Sequence, residues 1–358
     1  MEKTCEAAVA IAPNITEIQQ FNLPKIGHDD ALLKVESVGI CGADIFLYKN
    51  ITKPMILGHE CVGIITKIGK SAQKKWGVKE GDRVVIEEPL PCGYCRECKS
   101  LNYQLCKNGG RYGQVPISVK PSLWGGFSEY MYLHPNTQVY KVANHVKSEV
   151  APMFIPISNG IRWVQDIGKL KLGGTIVIQG PGQHGLGCVI AAKQLGAGCI
   201  IVTGMNQDSK RFEVAKELGA HHMINVEEED PIEAVSNITS GEMADVVMDI
   251  TTGATMAVSL SLELARIGGT IVLAGAKNKP VPDFMSDTIF RKELTIKGVY
   301  GRDFRTVIPA IELIESNVLP LELLSTHVFP LEKTDYAMKV FSGEIKTDTP
   351  PIHASVTF

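Results

Sequence analysis

The stretch that decides the fold is Thr175-Ile-Val-Ile-Gln-Gly-Pro-Gly-Gln-His-Gly-Leu-Gly187. Its apolar start predicts a buried β-strand, and residues 186–195 can follow as a helix. Between them Gly180, Gly182 and Gly185 have the G-x-G-x-x-G spacing of a dinucleotide-binding loop. One glycine allows the tight turn, one lets the backbone approach a pyrophosphate, and one lets helix and strand pack closely. The helix N-terminus would then face the phosphate charge.

The end of the next predicted strand, 199–203, bears on the choice between NAD and NADP. An Asp or Glu usually stands there to bind the ribose 2′-hydroxyl of NAD, but this chain has Gly204 instead. Lys210 and Arg211 follow and could meet a 2′-phosphate, or they could be solvated residues at a helix start. The balance slightly favours NADP. The residues predicted to contact the cofactor are Gly180, Gly182, Gln183, His184, Gly185, Leu186, Gly204, Lys210 and Arg211.

The two halves of the chain differ in pattern. Up to about residue 155 short strands alternate with Gly, Pro and Asp, for example at 31–38, 61–68, 83–87 and 139–142. After about residue 160 apolar strands alternate with helices, which predicts a parallel sheet covered on both faces. A length of 358 residues also favours two domains. We therefore predict an α/β protein with a β-rich first domain and a doubly wound second domain.

The composition excludes several classes of function. The net charge of −3 gives no reason to expect a surface for nucleic acid or anionic membrane. No apolar stretch has the length of a membrane span, and no secretory signal is recognisable at the start. The cysteine count of nine is odd, which argues against a disulfide framework. A reducing cytoplasm is the simplest compartment.

Four of the cysteines form a cluster with the pattern C-x2-C-x2-C-x7-C. Its members are Cys92, Cys95, Cys98 and Cys106. Four thiolates can surround one ion tetrahedrally and leave no open position, so a zinc held there would be structural. Free thiols and an iron–sulfur cluster are the alternatives, and the surrounding pattern favours zinc.

A second candidate metal site combines Cys41, His59 and Glu60. One sulfur, one imidazole and one carboxylate would leave a fourth position open on a catalytic zinc. Such a zinc polarises a substrate oxygen and lowers the pKa of its hydroxyl. Asp44 suits an outer role in which it accepts the second imidazole N–H of His59 and fixes its tautomer.

Together these motifs resemble the zinc-containing medium-chain dehydrogenases, on the sorbitol and threonine dehydrogenase side. The matching stretches, which follow one another in the family's order, are Val38-Gly-Ile-Cys-Gly-Ala-Asp44, Leu57-Gly-His-Glu60, Gly81-Asp-Arg-Val-Val85, the cysteine cluster, Gly125-Gly-Phe-Ser-Glu-Tyr130, the glycine loop, Glu217-Leu-Gly-Ala220 and Gly268-Gly-Thr270. The resemblance covers essentially the whole chain. The resemblance implies a GroES-like catalytic domain with a zinc lobe at 1–157 and a Rossmann domain at 158–298. It also implies that residues 299–358 return to the catalytic domain, that the active site lies between the domains, and that the protein forms homodimers or homotetramers.

The sequence departs from this family at three positions. Relatives usually carry Ser or Thr, and then His, where this chain has Ala43 and Phe46, and those groups relay the substrate proton to solvent. Neither Ala43 nor Phe46 can carry a proton. Ile155 replaces a further carboxylate that many relatives have, so it can bind neither metal nor metal-bound water.

The leading hypothesis is a zinc-dependent enzyme that transfers a hydride between NAD(P) and a secondary alcohol or ketone. One alternative is an NADPH-dependent reductase of an activated C=C bond, with reduced or absent catalytic-zinc chemistry, which the three departures favour. Another is a non-enzymatic NAD(P)H-binding protein, since a fold does not fix a function. A small-molecule substrate is expected in the first two cases, without nucleic-acid or membrane partners.

Overall fold

The computed structural model describes residues 3–358 and divides into two compact units. The first unit extends to Ile155 and resumes at Ile311–Phe358, while the second comprises Pro156–Ala310. The domain boundaries stated above, with 299–358 assigned to the C-terminal return, stay a prediction.

Strands and helices account for most of the described chain. The strands are β1 Thr4–Ala12, β2 Ile15–Asn22, β3 Ala31–Gly39, β4 Met55–Ile56, β5 Glu60–Ile68, β6 Arg83–Ile86, β7 Pro89–Leu90, β8 Gly110–Arg111, β9 Tyr130–Leu133, β10 Val139–Lys141, β11 Thr175–Gln179, β12 Cys199–Gly204, β13 His222–Asn225, β14 Ala244–Asp249, β15 Ala265–Leu273, β16 Thr295–Gly298, β17 Ser325–Pro330 and β18 His353–Thr357. The α-helices are α1 Gly42–Lys49, α2 Lys70–Trp76, α3 Arg96–Lys99, α4 Phe154–Ile161, α5 Gln183–Gln194, α6 Ser209–Glu217, α7 Pro231–Ile238, α8 Met256–Leu264, α9 Asp287–Arg291, α10 Phe304–Glu315 and α11 Thr334–Phe341. Within residues 3–358 no helix has both the length and the apolar character that crossing a bilayer requires.

The first unit is built on β-sheets. Its largest sheet has the strand order β10-β6-β5-β3-β18-β17, and β9 pairs with β3 as well. A three-stranded sheet, β2-β1-β4, and a two-stranded sheet, β7-β8, complete it. β3 is buried along nearly its whole length, which suits its apolar sequence and its place inside the large sheet. The C-terminal strand β18 lies beside β3 and pairs with it in antiparallel fashion.

The second unit is a parallel sheet with helices between its strands. The strand order is β13-β12-β11-β14-β15-β16, and all five neighbouring pairs are parallel. The order reverses at β11, because β12 and β13 lie on one side of it and β14 to β16 on the other. This confirms the predicted fold class, a β-rich GroES-like part and a doubly wound Rossmann-type part.

Candidate active site

Three buried side chains of the first unit meet where β3 ends and β5 begins. Cys41 follows β3 as the N-cap of α1, His59 precedes β5, and Glu60 is the first residue of β5. The antiparallel register pairs Gly39 with Glu60, so the two strand ends are adjacent. One ligand atom from each of Cys41, His59 and Glu60 lies within 4.8 Å of the other two. The structure thus brings these three residues together, and their role as metal ligands stays a proposal.

Asp44, in the first turn of α1, connects the parts of this cluster. Its Oδ2 accepts the Cys41 backbone N–H at 2.9 Å, and its Oδ1 accepts the Gly58 N–H at 3.0 Å. The same Oδ1 lies 3.0 Å from His59 Nδ1. A proton on Nδ1 is therefore donated to the carboxylate, which leaves the lone pair of Nε2 free for a cation. This geometry supports the tautomer-fixing role proposed for Asp44.

Burial and neighbouring charges shift the pKa values of both Cys41 and His59. Burial raises the pKa of the Cys41 thiol, and the charge of Glu60 raises it further. Burial lowers the pKa of His59, but the Asp44 carboxylate and the Cys41 sulfur together raise it well above its usual value. Metal binding requires the thiolate and the neutral imidazole. Metal binding at this cluster would therefore release protons.

Glu60 provides the clearest test of whether a cation fits. It is fully buried, and within residues 3–358 neither carboxylate oxygen has a hydrogen-bond partner. His353 Nε2 lies 3.4 Å from Glu60 Oε2, without the geometry of a hydrogen bond. A buried carboxylate left without compensation is strongly unfavourable, and a divalent cation would supply that compensation. A thiol, an imidazole and a carboxylate together are a donor set typical of zinc, so these residues fit the metal.

The residues that depart from the family pattern are on two helices, α1 and α4. Ala43 and Phe46 are on α1, and both are exposed, Phe46 by 54%. Ile155 is buried in α4 and offers no ligand atom. Among the described residues, the carboxylate that groups with Cys41 and His59 is Glu60.

The four-cysteine cluster is also assembled. Ligand atoms of Cys92, Cys95, Cys98 and Cys106 lie within 4.8 Å of one another. The Sγ atoms of Cys92 and Cys98 are 3.9 Å apart, as are those of Cys95 and Cys106. Tetrahedral zinc with Zn–S distances of about 2.3 Å separates its sulfurs by about 3.8 Å, so the spacing fits zinc.

Cys92 and Cys98 of the lobe differ in pKa, and the pKa of Cys92 is lowered. Burial raises the pKa of Cys92, but the backbone N–H groups of Tyr94 and Cys95 and the neighbouring thiols lower it to about 6. Burial and the neighbouring sulfurs together raise the pKa of Cys98 to about 12. Four thiolates this close repel one another, so full ionisation requires a bound cation.

The glycine loop connects β11 to α5. Gly180 has φ +98°, a conformation that favours glycine, and Gly182 is the N-cap of α5. A Cβ on Gly185 would lie 2.0 Å from the Gly180 carbonyl oxygen, so this glycine allows the helix to start against the turn. A Cβ on Gly182 would meet nothing within 4 Å. Open space at Gly182 is what a pyrophosphate held by the backbone requires, so the loop fits a dinucleotide.

This loop lies at the point where the strand order of the parallel sheet reverses. Ligands of doubly wound sheets bind in the crevice outside the carboxyl ends of the strands at such a point. A Cβ on Gly180 would lie 3.1 Å from Thr251 Cγ2, and Thr251 follows β14, the neighbour of β11. His184 contacts Trp163, with ring centroids 5.4 Å apart. The loop residues predicted from the sequence therefore lie together at the expected edge.

Lys210 and Arg211, the two cations that could meet a 2′-phosphate after β12, are each paired with a carboxylate. Arg211 Nη1 lies 2.6 Å from Asp208 Oδ1, and Lys210 Nζ lies 2.5 Å from Glu213 Oε2. Asp208 Oδ2 accepts the Met205 N–H at 3.0 Å and holds the turn after β12. Both predicted cations thus have carboxylate partners in the same segment of chain.

Two groups near these sites were not predicted. Lys277 Nζ donates to Asp249 Oδ1 and to Thr251 Oγ1, each at 2.8 Å, at the carboxyl end of β14. Its place just after β15 in a parallel sheet is a signal that could have identified it. His353 faces Glu60 from β18, and no local pattern identifies it, because the contact depends on the pairing of strands far apart in sequence.

Comparisons with known proteins agree with this geometry. Residues 27–144 match the alcohol dehydrogenase GroES-like domain, and residues 185–316 match the zinc-binding dehydrogenase family. The chain is 38% identical to a probable alcohol dehydrogenase of Mycobacterium tuberculosis, with 98% of each chain covered. It is 35% identical to sorbitol dehydrogenase of Bacillus subtilis, over 93% of this chain and 92% of the other. The crystal structure of an alcohol dehydrogenase from Thermotoga maritima superposes with a TM-score of 0.89 at 27% identity, covering 99% of both chains.

The fold and the two sites define an oxidoreductase that uses zinc and a nicotinamide cofactor on a small-molecule substrate. More specifically, the chain belongs to the zinc-containing medium-chain alcohol dehydrogenase family.

Proposed function

We propose that the protein transfers a hydride between NAD(P) and a secondary alcohol or ketone at a zinc ion held by Cys41, His59 and Glu60. The observation that carries this proposal is the fully buried Glu60 carboxylate, which has no hydrogen-bond partner in the described chain. It lies within 4.8 Å of a thiol and an imidazole, so a cation would satisfy all three groups. The similarity to sorbitol dehydrogenase supports an alcohol substrate.

The residues of the first unit would prepare this centre. Bound zinc supplies a Lewis acid that polarises the substrate oxygen and lowers the pKa of a hydroxyl. Three protein ligands leave one position of a tetrahedral centre for the substrate. Asp44 holds His59 in the tautomer whose Nε2 can bind the metal, and it also fixes the Cys41 backbone. A second zinc at Cys92, Cys95, Cys98 and Cys106 would have no free position and would stabilise the lobe.

The substrate proton needs a route that avoids α1. Ala43 and Phe46 stand where relatives have a hydroxyl and an imidazole, and neither can accept a proton. We infer that the proton leaves through water, through a ribose hydroxyl of the cofactor or through a group of the substrate itself.

The glycine loop would bind the pyrophosphate of NAD(P), which accepts or supplies the hydride. The open space at Gly182 and the N-terminus of α5 support this placement. We propose a slight preference for NADP, because β12 ends at Gly204 without a carboxylate for the ribose 2′-hydroxyl. Arg211 would have to exchange its Asp208 partner for the 2′-phosphate.

We also propose a homodimer or homotetramer in a reducing compartment such as the cytoplasm. Large apolar side chains are exposed in and near the 284–300 segment of the second unit, including Met285 at 65%, Phe290 at 69% and Tyr300 at 56%. These support burial against another copy. The lobe cysteines can bind zinc only while they are reduced, which supports the compartment.

A turnover screen with NADH and NADPH tests the proposed reaction. Purified protein should reduce ketones and, in reverse, oxidise secondary alcohols, and removal of zinc should abolish both activities. Reduction of activated alkenes alone, unaffected by zinc removal, would instead establish the C=C reductase. Cofactor binding without turnover of either substrate class would support the non-enzymatic alternative.

Replacing Gly182 and Gly185 separately should distinguish a cofactor site from a merely glycine-rich turn. Gly182→Ala adds a methyl group to open space, so we expect Tm to change by less than about 2 °C while the Kd for NAD(P)H rises about tenfold. Gly185→Ala places Cβ 2.0 Å from a backbone oxygen, so it should lower the free energy of unfolding by about 2 kcal/mol or more. Cofactor fluorescence titration and thermal unfolding measure the two effects. Unchanged affinity in Gly182→Ala would count against a pyrophosphate at this loop.

A further inference from the structure

His353, which is distant in sequence, contacts the cluster of Cys41, His59 and Glu60. It is the first residue of β18, the C-terminal strand that pairs with β3 through Ser355 and Gly39. β3 also pairs with β5, whose first residue is Glu60. The two pairings place His353 Nε2 3.4 Å from Glu60 Oε2, and both side chains are fully buried.

Neither partner of this contact is otherwise satisfied within the described residues. Both ring nitrogens of His353 and both carboxylate oxygens of Glu60 are buried without a hydrogen bond. Buried polar groups in native proteins are nearly always hydrogen-bonded, and exceptions call for an explanation. Chance packing explains this poorly, because two such groups face each other next to a thiol and an imidazole.

Gly39 provides the space in which the two side chains meet. A Cβ at this position would lie 2.4 Å from Glu60 Oε2 and 2.7 Å from His353 Nε2. Any other residue at position 39 would therefore displace one of them. With glycine there, a shift of a few tenths of an ångström brings the two atoms from 3.4 Å to hydrogen-bond distance.

We propose that His353 is a positioning residue for the catalytic metal: it donates its Nε2–H to Glu60 Oε2 and so directs Oε1 to the cation. This rests on the proposed zinc site at Cys41, His59 and Glu60. The arrangement gives Glu60 two different partners, one for each oxygen. Of the unpaired side-chain atoms of Glu60 and His353, only His353 Nδ1 is then left without a partner. Nδ1 then carries only a lone pair, and an unsatisfied acceptor is tolerated better than an unsatisfied N–H.

Two substitutions of similar polarity distinguish positioning from packing. In His353→Gln the amide nitrogen takes the place of Nε2 and can still donate to Glu60. In His353→Asn the amide nitrogen takes the place of Nδ1 and cannot reach the Glu60 carboxylate. Loss of an outer partner of a metal ligand typically lowers metal affinity about 10- to 100-fold, so His353→Asn should lose that much zinc affinity and His353→Gln should stay within about threefold of the wild type.

The first site is the cluster of Cys41, His59 and Glu60. The experiment measures its zinc affinity by chelator competition, on full-length protein in which the four-cysteine site keeps its zinc. The visible spectrum of protein with Co²⁺ in the first site provides a second measurement, which should change in His353→Asn and not in His353→Gln. In a Glu60→Gln background the effect of His353→Asn should disappear, because His353 acts through that carboxylate. If His353→Asn does not fold, His353→Leu takes its place.

Equal affinities and equal cobalt spectra in the wild type and His353→Asn would overturn the role of His353. Loss of affinity to the same extent in Asn and Gln variants, or in the Glu60→Gln background, would also overturn it and indicate packing alone. Failure of the zinc-site proposal looks different, because the wild-type protein would then bind a single zinc per chain, in the four-cysteine site.

Discussion

Replacing Cys41 and His59 together with alanine is expected to reduce bound zinc from two ions per chain to one. The double variant removes two of the three residues whose ligand atoms lie within 4.8 Å of one another, and Glu60 alone cannot hold the ion. We expect kcat/KM for alcohol oxidation to fall by about 10³-fold or more, because the Lewis acid contributes several kcal/mol to transition-state stabilisation. A tenfold change in rate corresponds to roughly 1.4 kcal/mol of activation free energy. Metal analysis and steady-state kinetics measure the two effects.

The matched control for this variant is Cys5→Ala. Cys5 is another buried thiol of the first unit, on β1, and it belongs to neither cysteine-containing cluster. The control should keep two zinc ions and near-normal kcat/KM. One zinc in both the wild type and the double variant, from protein prepared without chelators, would contradict the Lewis-acid mechanism and favour reduction of an activated C=C bond.

Cys98→Ser is expected to have the largest effect on stability. It removes one of the four thiols spaced for tetrahedral zinc, and the 92–106 lobe contains few buried side chains to replace the metal, Tyr103 and Gln104 among them. Structural zinc contributes directly to folding free energy, so we expect a loss of about 4 kcal/mol and a fall in Tm of about 10 °C. Zinc content, thermal unfolding and limited proteolysis within the lobe measure the loss.

The control for Cys98→Ser is Cys199→Ser. Cys199 is a partly exposed cysteine on β12 outside both clusters, so its replacement should leave zinc content and proteolysis unchanged. Zinc content and Tm equal to those of the wild type in Cys98→Ser would show that the four sulfurs are not a metal site.

Features that depend on short stretches of chain were predictable from the sequence. The glycine loop is a strand, a turn and a helix start within thirteen residues, and the structure has β11, the turn and α5 there. The cysteine lobe is similar, because its spacing alone places four thiols around one point. The alternation of strands and helices likewise predicted the parallel sheet of the second unit.

Features that depend on pairing between distant segments were less accessible. Cys41 and His59 are brought together by the register of β3 with β5, whereas their prediction rested on residue types and ligand chemistry, without knowledge of that register. His353 could not be found, because neither its neighbours in sequence nor its residue type reveals that β18 pairs with β3. The charges of Lys210 and Arg211 were visible, but their pairing with Glu213 and Asp208 depends on side-chain conformations.

The position of β18 inside the large sheet has a consequence for the order of events during synthesis. The second unit is one continuous segment, Pro156–Ala310, whereas the first is completed only by Ile311–Phe358. A ribosome therefore delivers the whole nucleotide-binding part while the sheet beside β3 still has a gap. His353, which faces Glu60, belongs to β18, so this contact can form only after β18 has paired with β3. The proposed ligands Cys41, His59 and Glu60 are thus made well before His353, and a metal held by them would be enclosed only after residues 353–357 have joined the sheet.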